Sequence, residues 1–291
     1  MYPLPFDYFS PKSLGEALEL YGDGSEIKIL AGGQSLIPSL KLRLVSLKGV
    51  VDITGIKELD YVRKDEDLLR IGALTTTAIL ESDEIIASSM PILKEAAAQI
   101  ADPLVRNRGT VGGNLCYPDP VYDLPAVMLA LNASMVAASK KGTRRISADS
   151  FFIDSFKTAL KPGEILTEVE VPLQLGRFGG AYCKVKKGSG GYSIAGVASC
   201  LSVADDDGAI SGCRIGLTAV GPKALRAEKA EQALLKRVPT PSTLDKAAAL
   251  AVKASKPSSD SNASEGYRRK VLYKLVKDSV EAAYGRATQV R

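Results

Sequence analysis

The chain has 291 residues, 45% of them hydrophobic, which is enough to bury a substantial core and suggests two domains rather than one. Its 38 basic and 33 acidic residues leave a net charge of +5, mixed along the sequence without interleaved aromatics, so no nucleic-acid surface is expected. No histidine occurs, which removes Ser-His-Asp triads, Cys-His dyads, His-ligated zinc and any imidazole base. The four cysteines, Cys116, Cys183, Cys200 and Cys213, form no C-x-x-C pair and read as small buried hydrophobes.

In chain order, apolar spacing predicts a helix over 13–21 with Leu14, Ala17, Leu18 and Tyr21 on one face, and then a strand over 27–30. Ala31-Gly32-Gly33-Gln34-Ser35 follow as a turn. Leu36, Leu40 and Leu44 recur at helical spacing before a strand at 50–53. Further elements are a strand at 68–71, a helix over 91–100, a second glycine turn at Thr110-Val111-Gly112-Gly113-Asn114, a helix over 123–131, a strand over 134–139 with a turn at 141–142, and a strand over 165–171. Beyond Gly176, strands over 193–204 and 209–220 are joined by Asp205-Asp206-Asp207-Gly208, a hairpin signal. Helices over 225–236, 243–256 and 267–283 complete an α+β chain. No apolar run is long enough to span a membrane and the N-terminus lacks a basic, then apolar, leader, so a cytoplasmic protein is expected.

A strand, a glycine pair and a helix form a natural phosphate cradle, because glycine lets a ligand approach backbone amides. Two such turns, each followed by a polar side chain, could grip a pyrophosphate. Competing motifs fail: there is no Gly-Lys dipeptide, hence no P-loop, and no G-x-G-x-x-G, since Gly188-Ser189-Gly190 is followed by Ser193 where a third glycine should stand.

Residues 31–38 (AGGQSLIP) and 101–114 (ADPLVRNRGTVGGN) resemble the two FAD signatures of the medium subunits of molybdenum hydroxylases, the carbon monoxide dehydrogenase, xanthine dehydrogenase and aldehyde oxidoreductase group. The likeness continues through residues 119–125, 163–166, 191–197 and 221–227, and so covers nearly the whole chain. It implies an FAD-binding fold of the vanillyl-alcohol oxidase (PCMH) type over 1–175, in subdomains of about 1–55 and 56–175. A C-terminal domain of antiparallel sheet with helices would occupy 176–291.

The resemblance assigns the diphosphate and ribityl region to Ala31, Gly32, Gly33, Gln34, Ser35 and Leu36 and to Thr110, Val111, Gly112, Gly113 and Asn114. It places Asp123 on the adenosine side, where a carboxylate can accept ribose hydroxyls, and Leu166 and Lys184 by the flavin ring. Tyr192 would cover one ring face, although Gly191 stands where the family often has Asp. FAD would be non-covalent, because the chain has no histidine to tether it. Molybdenum–pterin and [2Fe–2S] centres would belong to a large and a small partner subunit, in a heterotrimer that pairs into a dimer. The complex would oxidise a substrate, an aldehyde by analogy, and this chain would relay the electrons. The alternative is a free-standing FAD-dependent oxidoreductase of the same fold.

Overall fold

The computed structural model describes residues 2–24, 26–173, 176–188 and 190–289. Ser189 of the glycine-rich segment and the expected domain boundary at Leu175 lie outside these residues.

A parallel three-stranded sheet comes first, with Gly49–Asp52 between Asp7–Phe9 and Ile27–Leu30. Parallel neighbours need a crossover, and helix Leu14–Tyr21 supplies one. Ser13 caps it by accepting from the Glu16 amide, while Glu16 accepts from the Lys12 amide at 2.8 Å. Ala17 and Leu18 are buried in one cluster with Val51 and Ile53. The next helix, Leu36–Lys41, stops short of Leu44, because Arg43 turns the chain with φ 57°.

An antiparallel five-stranded sheet follows, in the order Val62–Asp65, Leu68–Gly72, Ile165–Pro172, Ser134–Ser139, Gly142–Ser147. The period of two sends Leu69, Ile71, Val169, Val171, Met135 and Ala137 into the core, against helices Pro91–Ala98 and Leu124–Ala130. The other face carries a charge ladder. Arg70 bonds both Glu168 and Glu170, and Arg145 grips Glu170 at 2.7 Å.

The third sheet is also antiparallel: Phe178–Lys186, Ser193–Val203, Ile210–Thr218 and Leu225–Arg226. Ala181, Val197, Leu201, Ile215 and Leu217 of these strands share a core with helices Pro241–Ala254 and Glu265–Gln289. Tyr182, Ala198 and Cys200, on the alternate face, join the core of the five-stranded sheet. Helix Leu124–Ala130 lies against that face so closely that a Cβ on Gly216 would stand 2.0 Å from the Ala126 carbonyl. The two halves therefore share side chains and cannot be pulled apart without opening a core.

The α+β class and the 205–208 hairpin agree with expectation, with Gly208 at φ 69°. Several readings change. Residues 225–226 are a strand paired with Gly216 and Leu217, and the helix begins only at Glu228. Helices Thr77–Ser82 and Glu84–Ser89 were not anticipated, nor was strand Phe178–Lys186, whose Gly-Gly pair and lysines obscure its alternation.

Hydrogen bonds from Arg144 hold Glu164 below the usual carboxylate range, and Arg145, then Arg70, do the same for Glu170. A lowered folded pKa gives stability that is complete above the unfolded value, about 4.3, and is lost as pH falls through the folded value. Acid destabilisation should therefore set in below about pH 4.3. Glu170→Gln should lower stability at pH 7 by about 2 kcal/mol, since Arg70 keeps its other acceptors, and should flatten the acid slope. Urea melts at pH 7 and pH 4 measure both; an unchanged slope would remove Glu170 from the account.

Candidate functional site

Strand Ile27–Leu30 delivers Ala31 to the C-terminal edge of the parallel sheet, the edge at which α/β sheets bind ligands. Gly33 has φ 74°, which only glycine adopts without strain. Ser35 stands at the N-cap of helix Leu36–Lys41 but does not cap it, and its hydroxyl lies 2.7 Å from the Tyr122 phenol instead. Among the described residues, the amides of Gly33, Gln34, Ser35 and Leu36 have no protein acceptor. Four successive free N–H groups make a cradle for an anion.

The second glycine segment is built differently. Thr110 caps helix Val111–Cys116 by accepting from the Gly113 amide, so Gly112 and Gly113 are helical and not a turn. The amides of Val111 and Gly112 donate to the Thr75 and Ala73 carbonyls at 2.9 and 2.8 Å, and that of Asn114 to Thr110 at 3.0 Å. The backbone amides of 111–114 are thus already used by the protein, so these residues can serve the expected diphosphate and ribityl region only through other atoms. What the segment offers is the Asn114 side chain, whose Oδ1 is buried without a partner. Leaving such a group unpaired costs about 1–3 kcal/mol.

The two segments touch. A Cβ on Gly32 would stand 2.1 Å from the Arg108 carbonyl, and one on Gly113 would stand 3.8 Å from the Ala31 Cβ. A cleft of about 320 Å³ lined by Asp7, Tyr21, Ile27 and Gly49 opens at the opposite, N-terminal edge of the sheet and includes none of these residues.

Asp123, expected on the adenosine side, and Lys184, expected by the flavin ring, form one buried ion pair at 2.8 Å, their side chains 7% and 2% exposed. They cannot serve opposite ends of an extended dinucleotide, so that pair of assignments is corrected to a single location. Nor does Asp123 cap its helix: Oδ1 accepts from the Tyr182 phenol and, at 2.8 Å, from Ser193. Burial, then Asp123, pushes the Tyr182 phenol far above its ordinary value. Leu166 is buried in the hydrophobic core, so only its backbone can reach a ligand. Tyr192 is 63% exposed, and its ring stacks on Tyr122 with centroids 6.4 Å apart. Burial raises the Tyr122 phenol to about 12.

Tyr122, Tyr182 and Ser193 were not singled out from sequence. The available signal was positional: Tyr122 and Ser193 adjoin predicted residues, and Tyr182 lies two before Lys184 on one strand face.

Residues 4–174 match the family described as FAD binding domain in molybdopterin dehydrogenase, and residues 180–283 match the CO dehydrogenase flavoprotein C-terminal domain. The chain therefore belongs to the FAD-binding subunits of molybdenum hydroxylases, with the PCMH-type fold and the oxidoreductase class of that family. Among its relatives, the carbon monoxide dehydrogenase medium chain of Hydrogenophaga pseudoflava is 38% identical, over 98% of this chain and 99% of its own. The 6-hydroxypseudooxynicotine dehydrogenase complex subunit alpha of Paenarthrobacter nicotinovorans is 37% identical, over 99% and 97%. The solved carbon monoxide dehydrogenase from Hydrogenophaga pseudoflava, in a form lacking the Mo-pyranopterin moiety, superposes with a TM-score of 0.95 at 40% identity, covering 98% of this chain and 99% of that one.

The side chains present fit FAD: free amides suit its diphosphate and the orphaned Asn114 carboxamide suits a polar group beside it. Valine at Gly33 would test backbone strain more than binding, given its φ. Asn114→Ala is cleaner, because the buried Oδ1 it removes has no protein donor to lose. The FAD-free variant should melt no lower than wild type while binding FAD about tenfold more weakly, worth about 1.4 kcal/mol. Thermal melts and flavin-fluorescence titration read the two; unchanged affinity would exclude Asn114 from the site.

Proposed function

We propose that this chain relays electrons: it accepts them from a [2Fe–2S] subunit and passes them to an external acceptor, while a separate molybdenum–pterin subunit oxidises the substrate. Bound FAD supplies the chemistry, storing two electrons and exchanging them singly or in pairs. The chain's residues do the rest. The amides of Gly33–Leu36 would hold the diphosphate, Asn114 would orient the adjoining polar region, and Lys184 would place positive charge beside the ring. Tyr192, exposed just before strand Ser193–Val203, would cover one ring face and shift to admit the acceptor.

The observation that carries this reading is the state of the titratable groups behind the aromatic pair. Asp123 and Lys184 are committed to one another and the sequence has no histidine, so among the described residues neither of these groups is free to serve a substrate as acid or base beside a bound flavin. A free-standing oxidoreductase would need such a group. Substrate choice belongs elsewhere on this reading, which fits two relatives of nearly equal identity named for different substrates. An aldehyde is the first substrate to test.

We further propose that residues 1–175 form the FAD-binding domain and 176–291 a C-terminal domain that adds Lys184 and Tyr192 to the site, and that the complex is a cytoplasmic dimer of heterotrimers. Among the described residues, no helix is long and apolar enough to cross a membrane.

Purification from the native source should bring molybdenum, iron and FAD together in one species, with the FAD released on denaturation. A lone subunit that oxidises substrate at the full rate would overturn the relay in favour of the free-standing enzyme. Tyr192→Ala should keep FAD and change the kinetics with the electron acceptor, not those with the substrate; loss of FAD would instead make Tyr192 a retention residue.

A further inference from the structure

Two dipeptides cross at the site. Tyr122-Asp123 and Tyr192-Ser193 stack their aromatic rings, 25° apart, and bring their polar members together below, with Ser193 Oγ 2.8 Å from Asp123 Oδ1. Tyr182, 4% exposed and on the same strand face as Lys184, donates its phenol to the same Oδ1. Oδ2 is left for the Lys184 ammonium. That ammonium has three N–H bonds. Among the described residues, Asp123 is the one acceptor it meets, although the side chain is 2% exposed. A buried cation short of acceptors is costly, and an acceptor on a ligand would relieve it.

We propose that Tyr182 and Ser193 are positioning residues for the flavin: by occupying Oδ1 they draw the carboxylate's charge away from Oδ2, and so leave the Lys184 ammonium incompletely neutralised and directed to the ring. Reduction adds negative charge to the flavin, so a less neutralised ammonium favours the reduced form and raises the midpoint potential. The phenol suits this task because burial keeps it protonated and donating. A purely structural network would behave otherwise, since every deletion would loosen the site and lower FAD retention alike. An electrostatic one gives opposite signs for the two charged members.

The proposal rests on the flavin reading above, and one set of measurements separates the two. FAD content and flavin midpoint potential are determined on the full chain in its complex, for wild type, Tyr182→Phe, Ser193→Ala, Lys184→Gln and Asp123→Asn. Lys184→Gln should lower the potential and Asp123→Asn should raise it. Tyr182→Phe and Ser193→Ala, each the loss of one oxygen, should keep FAD and lower the potential in the direction of Lys184→Gln. Their shift should approach a tenfold loss of preference for reduced FAD, about 30 mV for a two-electron couple. A potential unchanged or raised in both of these conservative variants overturns the proposal, as does a shift of one sign in all four. A wild-type chain without FAD defeats the flavin reading itself.

Discussion

The meeting of Gly32 with the Arg108 carbonyl is the constraint on which the site depends. A methyl group there would sit 2.1 Å from a backbone oxygen, so only glycine lets the first segment, carried by the parallel sheet, lie directly on the chain entering the second. The second segment is anchored in turn, since Val111 and Gly112 donate to Thr75 and Ala73 beside the five-stranded sheet. Backbone contact therefore ties the two sheets together at one line. The free amides of Gly33–Leu36 and the unpaired Asn114 Oδ1 lie on the segments that meet there.

That arrangement divides labour between two segments that look alike in sequence. A glycine pair can serve a ligand by freeing amides or serve the fold by permitting close packing; the first pair does both, Gly32 by packing on Arg108 and Gly33 by its turn, and the second only packs. Gly33 breaks the backbone into a left-handed turn and leaves four N–H groups unspent. Gly112 and Gly113 lie in a capped helix, where every amide from Val111 to Asn114 is consumed. For Val111 and Gly112, hydrogen bonds to Thr75 and Ala73, far earlier in the chain, make the difference.

The same distinction explains what could be read in advance. Strands such as Ser134–Ser139 and Ile27–Leu30 were legible because alternation is local, and the helix at Leu14–Tyr21 because its apolar spacing is local too. The first cradle was legible for the same reason. Illegible were the pairs made by folding: Asp123 with Lys184, 61 positions apart, and Ser35 with Tyr122, 87 apart. Family resemblance named Asp123 and Lys184 as cofactor residues but put them at different ends of it; the sheet register that seats Tyr182 opposite Ala198, facing helix Leu124–Ala130, was needed to show that they meet.

A buried ion pair is a poor way to gain stability. Desolvating a carboxylate and an ammonium offsets most of their attraction, and apolar side chains of equal volume commonly pack as well or better. Helix Leu124–Ala130 is buried along its whole length and needs no charge at its head to hold it. Its first turn nonetheless sets Asp123 against Lys184 and adds two hydroxyl donors to the carboxylate while adding no acceptor to the ammonium. Stability alone would favour the reverse, because among the described residues the lysine is the member with a single acceptor. An imbalance of this kind, in a network that joins the residues following Tyr122 and Tyr192, is what a site requires if its positive charge is meant for a ligand and not for the protein.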